Sequence, residues 1–176
     1  MKKVITYILF ILIFFIIYFL QFDFFNWFTI AGIKPNIFII YIAVIGSYSD
    51  KIASAVTCIT FGMYLDIING KCVGETAFLF VLVAIISKIL NKNISRENRI
   101  TLLLNIILVT ILYEFLNYIF MCIKLASQIE FLSFAKILVI ELLFNTIITI
   151  ILYPIIQKTG KVLKSIFEND KMFSIW

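Results

Sequence analysis

Acids are scarce in this chain, and one of them stands between glycines at an even spacing. In Phe61-Gly62-Met63-Tyr64-Leu65-Asp66-Ile67-Ile68-Asn69-Gly70-Lys71-Cys72-Val73-Gly74 the carboxylate lies four residues from Gly62 and four from Gly70, near the end of a run apolar enough for a bilayer. Charged groups in membrane segments are rare, face protein or water, and mark functional sites by default. Two more acids, Glu114 and Glu141, interrupt later apolar runs, with Asn117 and Asn145 one turn beyond them. Antiparallel neighbours would hold both acids at one depth, where they share a proton or hydrogen-bond the two amides.

That pair resembles a catalytic dyad only superficially. The chain has no histidine, which removes the commonest general base and metal ligand. It shows no nucleophilic Ser or Cys motif and no HExxH or carboxylate-rich metal signature. No enzymatic activity, metal or cofactor is expected. Glu114, Asn117, Lys136, Glu141 and Asn145 read as interhelical hydrogen-bonding groups, worth around 0.6 to 2 kcal/mol per contact. Cys58, Cys72 and Cys122 form no CxxC. They read as small hydrophobes in or near the membrane, or, for Cys72 and Cys122, as a disulfide pair on the oxidising side.

The elements that must carry these residues follow from composition. Of 176 residues, 63% are hydrophobic and 14% charged, against about a quarter charged in a soluble domain. The expected class is an all-α integral membrane protein of one bundle, with too little polar sequence for a separate soluble domain. Abundant Ile, Phe, Asn, Lys and Tyr, all with AT-rich codons, suit a low-GC bacterium.

Hydropathy and breakers divide residues 1–157 into six expected spans, about 4–22, 36–49, 52–68, 76–90, 100–123 and 131–157, with a basic tail over 158–176. The first has near the ~20 residues a crossing needs, and no A-x-A-like site follows it, so it reads as an uncleaved span. Its bulky side chains face lipid or pack loosely. Lys34-Pro35-Asn36 opens the second span, with Pro tolerated in a first helical turn. Ser47-Tyr48-Ser49-Asp50-Lys51 is so short a turn that the second and third spans should form a tight antiparallel hairpin. The third carries Ser54, Cys58, Gly62, Asp66 and Gly70 at four-residue intervals, a small-residue ridge that lets a neighbour approach closely. Ser95 is placed to cap the fifth helix.

Basic residues set the orientation. Lys2, Lys3, Lys51, Lys88, Lys92, Arg96, Arg99, Lys158, Lys161, Lys164 and Lys171 fall on one side, and Lys34, Lys71, Lys124 and Lys136 on the other. The positive-inside rule puts both termini in the cytoplasm of a plasma-membrane protein. The basic tail reads as an orientation signal that can also rest on anionic lipid. Asp66 then lies about one turn below the outer end of its helix, where burial and the helix dipole both disfavour its charge. It needs a donor, and Lys136 is the candidate. Asp66 serves either as a packing or capping group beside the Gly70 turn or in partner or ligand binding.

This order of features resembles the rod shape-determining protein MreD family: a basic start, one bulky span, Pro35-Asn36, a short second span and turn, then Phe61-Gly62-x-x-x-Asp66-x-x-x-Gly70-x-x-x-Gly74. The informative part is residues 35 to 90, and Glu75-Thr76 departs from the apolar or amide residues usual after the last glycine. The resemblance implies a non-enzymatic scaffold of the cell-elongation machinery. It would bind MreC in the membrane and through it reach MreB filaments, a RodA-like polymerase and a class B penicillin-binding protein, with no nucleic acid involved. Gly62, Asp66 and Gly70 would shape a packing core or partner groove. The family's fold resembles that of the substrate-binding S-components of energy-coupling-factor vitamin transporters, which is the second functional reading. Those typically carry Ala-x-x-x-Ala on the first span, and residues 4–22 contain neither Ala nor Gly.

Overall fold

The computed structural model of the protein describes residues 2–70, 72–93, 99–125 and 130–173. Lys71 and the expected cap at Ser95 lie outside them. The described residues form six α-helices: α1 (Lys2–Phe22), α2 (Ile37–Tyr48), α3 (Lys51–Ile68), α4 (Glu75–Asn93), α5 (Arg99–Leu125) and α6 (Phe131–Phe173). A 3-10 turn at Phe24–Asn26 follows α1. By length and composition, α1, α3, α5 and α6 are long and apolar enough to cross a membrane.

Ile, Phe, Val and Tyr dominate these segments, and in water such residues favour strands. In an apolar medium a helix satisfies its backbone within one segment, and that requirement overrides propensity. The shortest helix shows it best. α2, Ile-Phe-Ile-Ile-Tyr-Ile-Ala-Val-Ile-Gly-Ser-Tyr, buries ten of its twelve residues and touches each of the other five helices. A helix apolar all round is one enclosed on every side.

The expected α2–α3 hairpin is only partly realised. The turn at Ser49-Asp50 is as short as expected, but α2 and α3 barely touch, because α4 packs heavily on both and fills the space between them. Backbone approach explains this. A Cβ on Gly62 of α3 would overlap the Cα and amide nitrogen of Ala77, and a Cβ on Gly46 of α2 would come within 2.5 Å of the Cα and carbonyl oxygen of Ala84. Ala77 and Ala84 are two turns apart on α4, so one small-residue face of α4 receives a glycine from each neighbour. A third glycine, Gly160 of α6, lies against the Tyr48 ring at the end of α2.

α1 is bound along one stripe and open along the other. Ile8, Leu12, Phe15, Ile16 and Phe19 are exposed, whereas Thr6, Phe10, Phe14 and Gln21 are buried. Phe14 stacks on Phe61 of α3 at 4.0 Å between centroids, and the Tyr41 hydroxyl donates to the Phe10 carbonyl at 2.7 Å. This helix therefore joins the core through aromatic rings, without the small residues that hold α4. The last helix continues past the expected end of its span: Pro154 lies inside α6, which runs on to Phe173.

Substituting Ala for Gly46 or Gly62 should lower the stability of the detergent-purified protein by about 1 to 3 kcal/mol through overpacking. Leu12→Ala on the open face of α1 should have little effect. Thermal unfolding followed by circular dichroism measures both, and unchanged midpoints for the glycine variants would refute the close approach.

Candidate functional site

The start of a helix leaves backbone N–H groups without intrahelical partners, and away from water they must find acceptors. In this chain the starts of α2 and α4 are supplied by side chains from other helices, and the sequence-predicted polar residues gather there.

Asp66, on the last full turn of α3, is completely buried. Its Oδ2 accepts from the Gly74 amide at 2.9 Å, and both carboxylate oxygens lie 3.1 Å from the Thr76 amide. These amides open α4, so the carboxylate meets the positive end of that helix's dipole. The connection fits because Gly70 and Gly74 take positive φ, +63° and +104°, turning the chain back within six residues. Lys136 is not the donor that the sequence suggested. It is exposed on α6, and the backbone of α4 supplies the hydrogen bonds that its ammonium was expected to give. On the other flank of this helix start, Glu75 forms an ion pair with Lys124 at the end of α5.

The ridge on α3 divides in two. Ser54, Cys58, Gly62 and Asp66 are buried, whereas Gly70 is exposed, faces open space where a Cβ would stand, and serves the turn. Cys58, Cys72 and Cys122 are all free thiols, so Cys72 and Cys122 are not joined.

A second cradle forms at α2. Pro35 is buried and Asn36 half-buried. The Asn36 amide donates to Asn145 Oδ1 of α6 at 2.9 Å, and the Ile37 amide donates to Gln21 Oε1 of α1 at 3.0 Å. Gln21 Nε2 donates in turn to the Pro35 carbonyl at 2.7 Å. Asn145 is wholly buried, and its Nδ2 reaches Thr110 Oγ1 of α5 at 3.3 Å. Two amide side chains thus fasten α1, α5 and α6 to one helix start.

Between the two cradles lies a cavity of about 380 Å³. Asn36, Asn117, Glu114 and Glu141 line it, with Phe22, Phe80 and Tyr113 among the walls. Glu141 has Glu114, Asn36 and Asn145 as neighbours, so the two glutamates and two asparagines of the sequence pattern converge on one place, with Asn117 half-buried at the edge. Among the described residues no three His, Cys, Asp or Glu side chains gather as metal ligands.

Several residues in this arrangement carry weak sequence signals. Gln21 was marked only by being the sole amide near the end of α1. Gly46, Ala77 and Ala84 were visible as small residues but belong to no regular ridge within one segment, and Thr110 was one hydroxyl among many.

A model of the family described as rod shape-determining protein MreD matches residues 1–163 of the chain. No curated protein and no solved structure matches it.

Replacing Asp66 by Leu should destabilise the protein by about 1 to 3 kcal/mol for each α4 amide left buried and unpaired. Asp66→Asn, which keeps one acceptor oxygen, should retain part of that loss. Denaturation midpoints of the two variants against the native chain check the order, and equal midpoints for Leu and native protein would exclude a capping role.

Proposed function

The chain belongs to the MreD family of rod shape-determining proteins, and from that membership we propose that it is a non-enzymatic membrane scaffold of the bacterial elongation machinery. It binds MreC and helps to organise lateral peptidoglycan synthesis, reaching MreB filaments, a RodA-like polymerase and a class B penicillin-binding protein indirectly. The observation that carries this reading is the family match over residues 1–163.

In this proposal all six helices span the plasma membrane with both termini in the cytoplasm, α2 and α4 joining the four longer spans. The basic residues favour that orientation. The buried ridge of Ser54, Cys58, Gly62 and Asp66 then belongs to the internal framework, with Gly70 and Gly74 forming its outer turn. Partner helices are left the open faces, rich in Ile, Leu and Phe, of α1, α3 and α6. Internal hydrogen bonds and glycine contacts hold the bundle's shape, and the lipid-facing surface is free to recruit. The comparisons lend no support to a substrate-binding transporter component.

Affinity capture of the tagged chain from solubilised native membranes, read by mass spectrometry, should recover MreC as the main specific companion. Depletion of the chain should make rod-shaped cells round. Recovery of an ATPase pair with a transport subunit, in place of MreC, would overturn the reading.

A further inference from the structure

The cavity between the starts of α2 and α4 has a polar lining that the scaffold role does not use. Glu141 is only 6% exposed, and its Oε1 is buried without a hydrogen-bond partner, although the residue lines a space of about 380 Å³. A buried carboxylate oxygen without a donor is costly, and Glu114 beside it adds a second acid. Two adjacent carboxyl groups out of bulk water repel one another unless a proton or a cation stands between them.

We propose that this cavity binds an alkyl cation, an ammonium or guanidinium group on a short aliphatic stem. Glu141 Oε1 and Glu114 accept the charged head, whose N–H groups supply the donor that this one oxygen lacks, Asn36 and Asn145 already serving the carboxyl group. Phe22, Phe80 and Tyr113 line the same space and suit both the stem and the charge, because ring faces attract cations. The Phe22 ring already holds one: Lys34 Nζ lies 5.0 Å from its centroid at the cavity rim, while also donating to Asn26 Oδ1 at 3.0 Å. An inorganic cation fits less well. Calcium takes about 6 to 8 oxygen ligands, and among the described residues no three His, Cys, Asp or Glu side chains gather as metal ligands. The cation is carried either by a free small molecule or by a Lys or Arg side chain of a neighbouring protein; the recognition chemistry is the same.

The test uses the full chain in detergent with n-butylguanidinium as the probe and n-butylurea as its neutral counterpart. Butylguanidinium should raise the unfolding midpoint saturably, with no rise from butylurea or from sodium chloride at equal ionic strength. Glu141→Gln should weaken the apparent affinity about tenfold or more, as loss of a charge-assisted hydrogen bond does. In the native chain, which requires no variant to fold, the probe should protect Glu141 from dicyclohexylcarbodiimide, read by mass spectrometry. The proposal fails if there is neither rise nor protection, if Glu141→Gln responds like the native chain, or if calcium chloride protects at lower concentration than the probe. The source is separated in native membranes by p-benzoylphenylalanine in place of Ile137, which lines the cavity. A protein adduct there identifies a partner's side chain as the cation. Probe protection without any protein adduct identifies a free molecule.

Discussion

Backbone amides at a helix start have no partners within the helix, and in an apolar medium water does not supply them. This constraint organises the bundle. α4 begins where Asp66 of α3 can receive the amides of Gly74 and Thr76. α2 begins where Asn145 of α6 and Gln21 of α1 can receive those of Asn36 and Ile37. Each cap is a long-range contact, so satisfying a local deficit also fixes which helices are neighbours. Dispersion between apolar side chains cannot do this alone, since lipid tails compete equally well for them. The glycine contacts then set distance where the caps have set register: Gly62 against Ala77 lies one turn beyond the Asp66 cap, and Gly46 against Ala84 lies two turns further along the same face of α4.

Much of this was legible in the sequence, and the failures have physical causes. Residue type and spacing were enough to single out Asp66, Gly62, Asn36, Asn145 and the Glu114–Glu141 pair, because polar groups in apolar runs stand out against their background. The partner of Asp66 was misjudged because the expectation considered only side-chain donors. Lys136 is a cation at a similar predicted depth, while the true donors are main-chain amides six and eight residues beyond the end of α3, which every sequence contains and none advertises. The α2–α3 hairpin was over-read for a similar reason: a short turn fixes where two helices meet but not whether they stay together. Separation is decided by Gly46 and Ala84, which lie 38 positions apart in the sequence and in no regular spacing.

The departure from the family pattern at Glu75 has its own local role. Glu75 stands in the first turn of α4, where a negative charge favours the helix dipole, and it pairs with Lys124 at the far end of α5. Together with Asp66 it puts two largely buried carboxylates at one helix start. Asp66 is held by main chain, and Glu75 joins α4 to α5.

The length of α6 has a mechanical consequence. Its 43 residues extend about 64 Å at 1.5 Å per residue, against a hydrocarbon core of about 30 Å. To lie wholly within that layer the helix would need a tilt near 60°, beyond the roughly 0 to 40° seen for spanning helices. In the proposed membrane orientation the helix therefore projects from the bilayer, and beyond Pro154 the seat of Tyr48 against Gly160 steadies it. Such a projection acts as a spacer of defined reach: whatever meets its tip is held at a set height above the lipid surface, and any turning of the bundle in the membrane is delivered there with a lever arm.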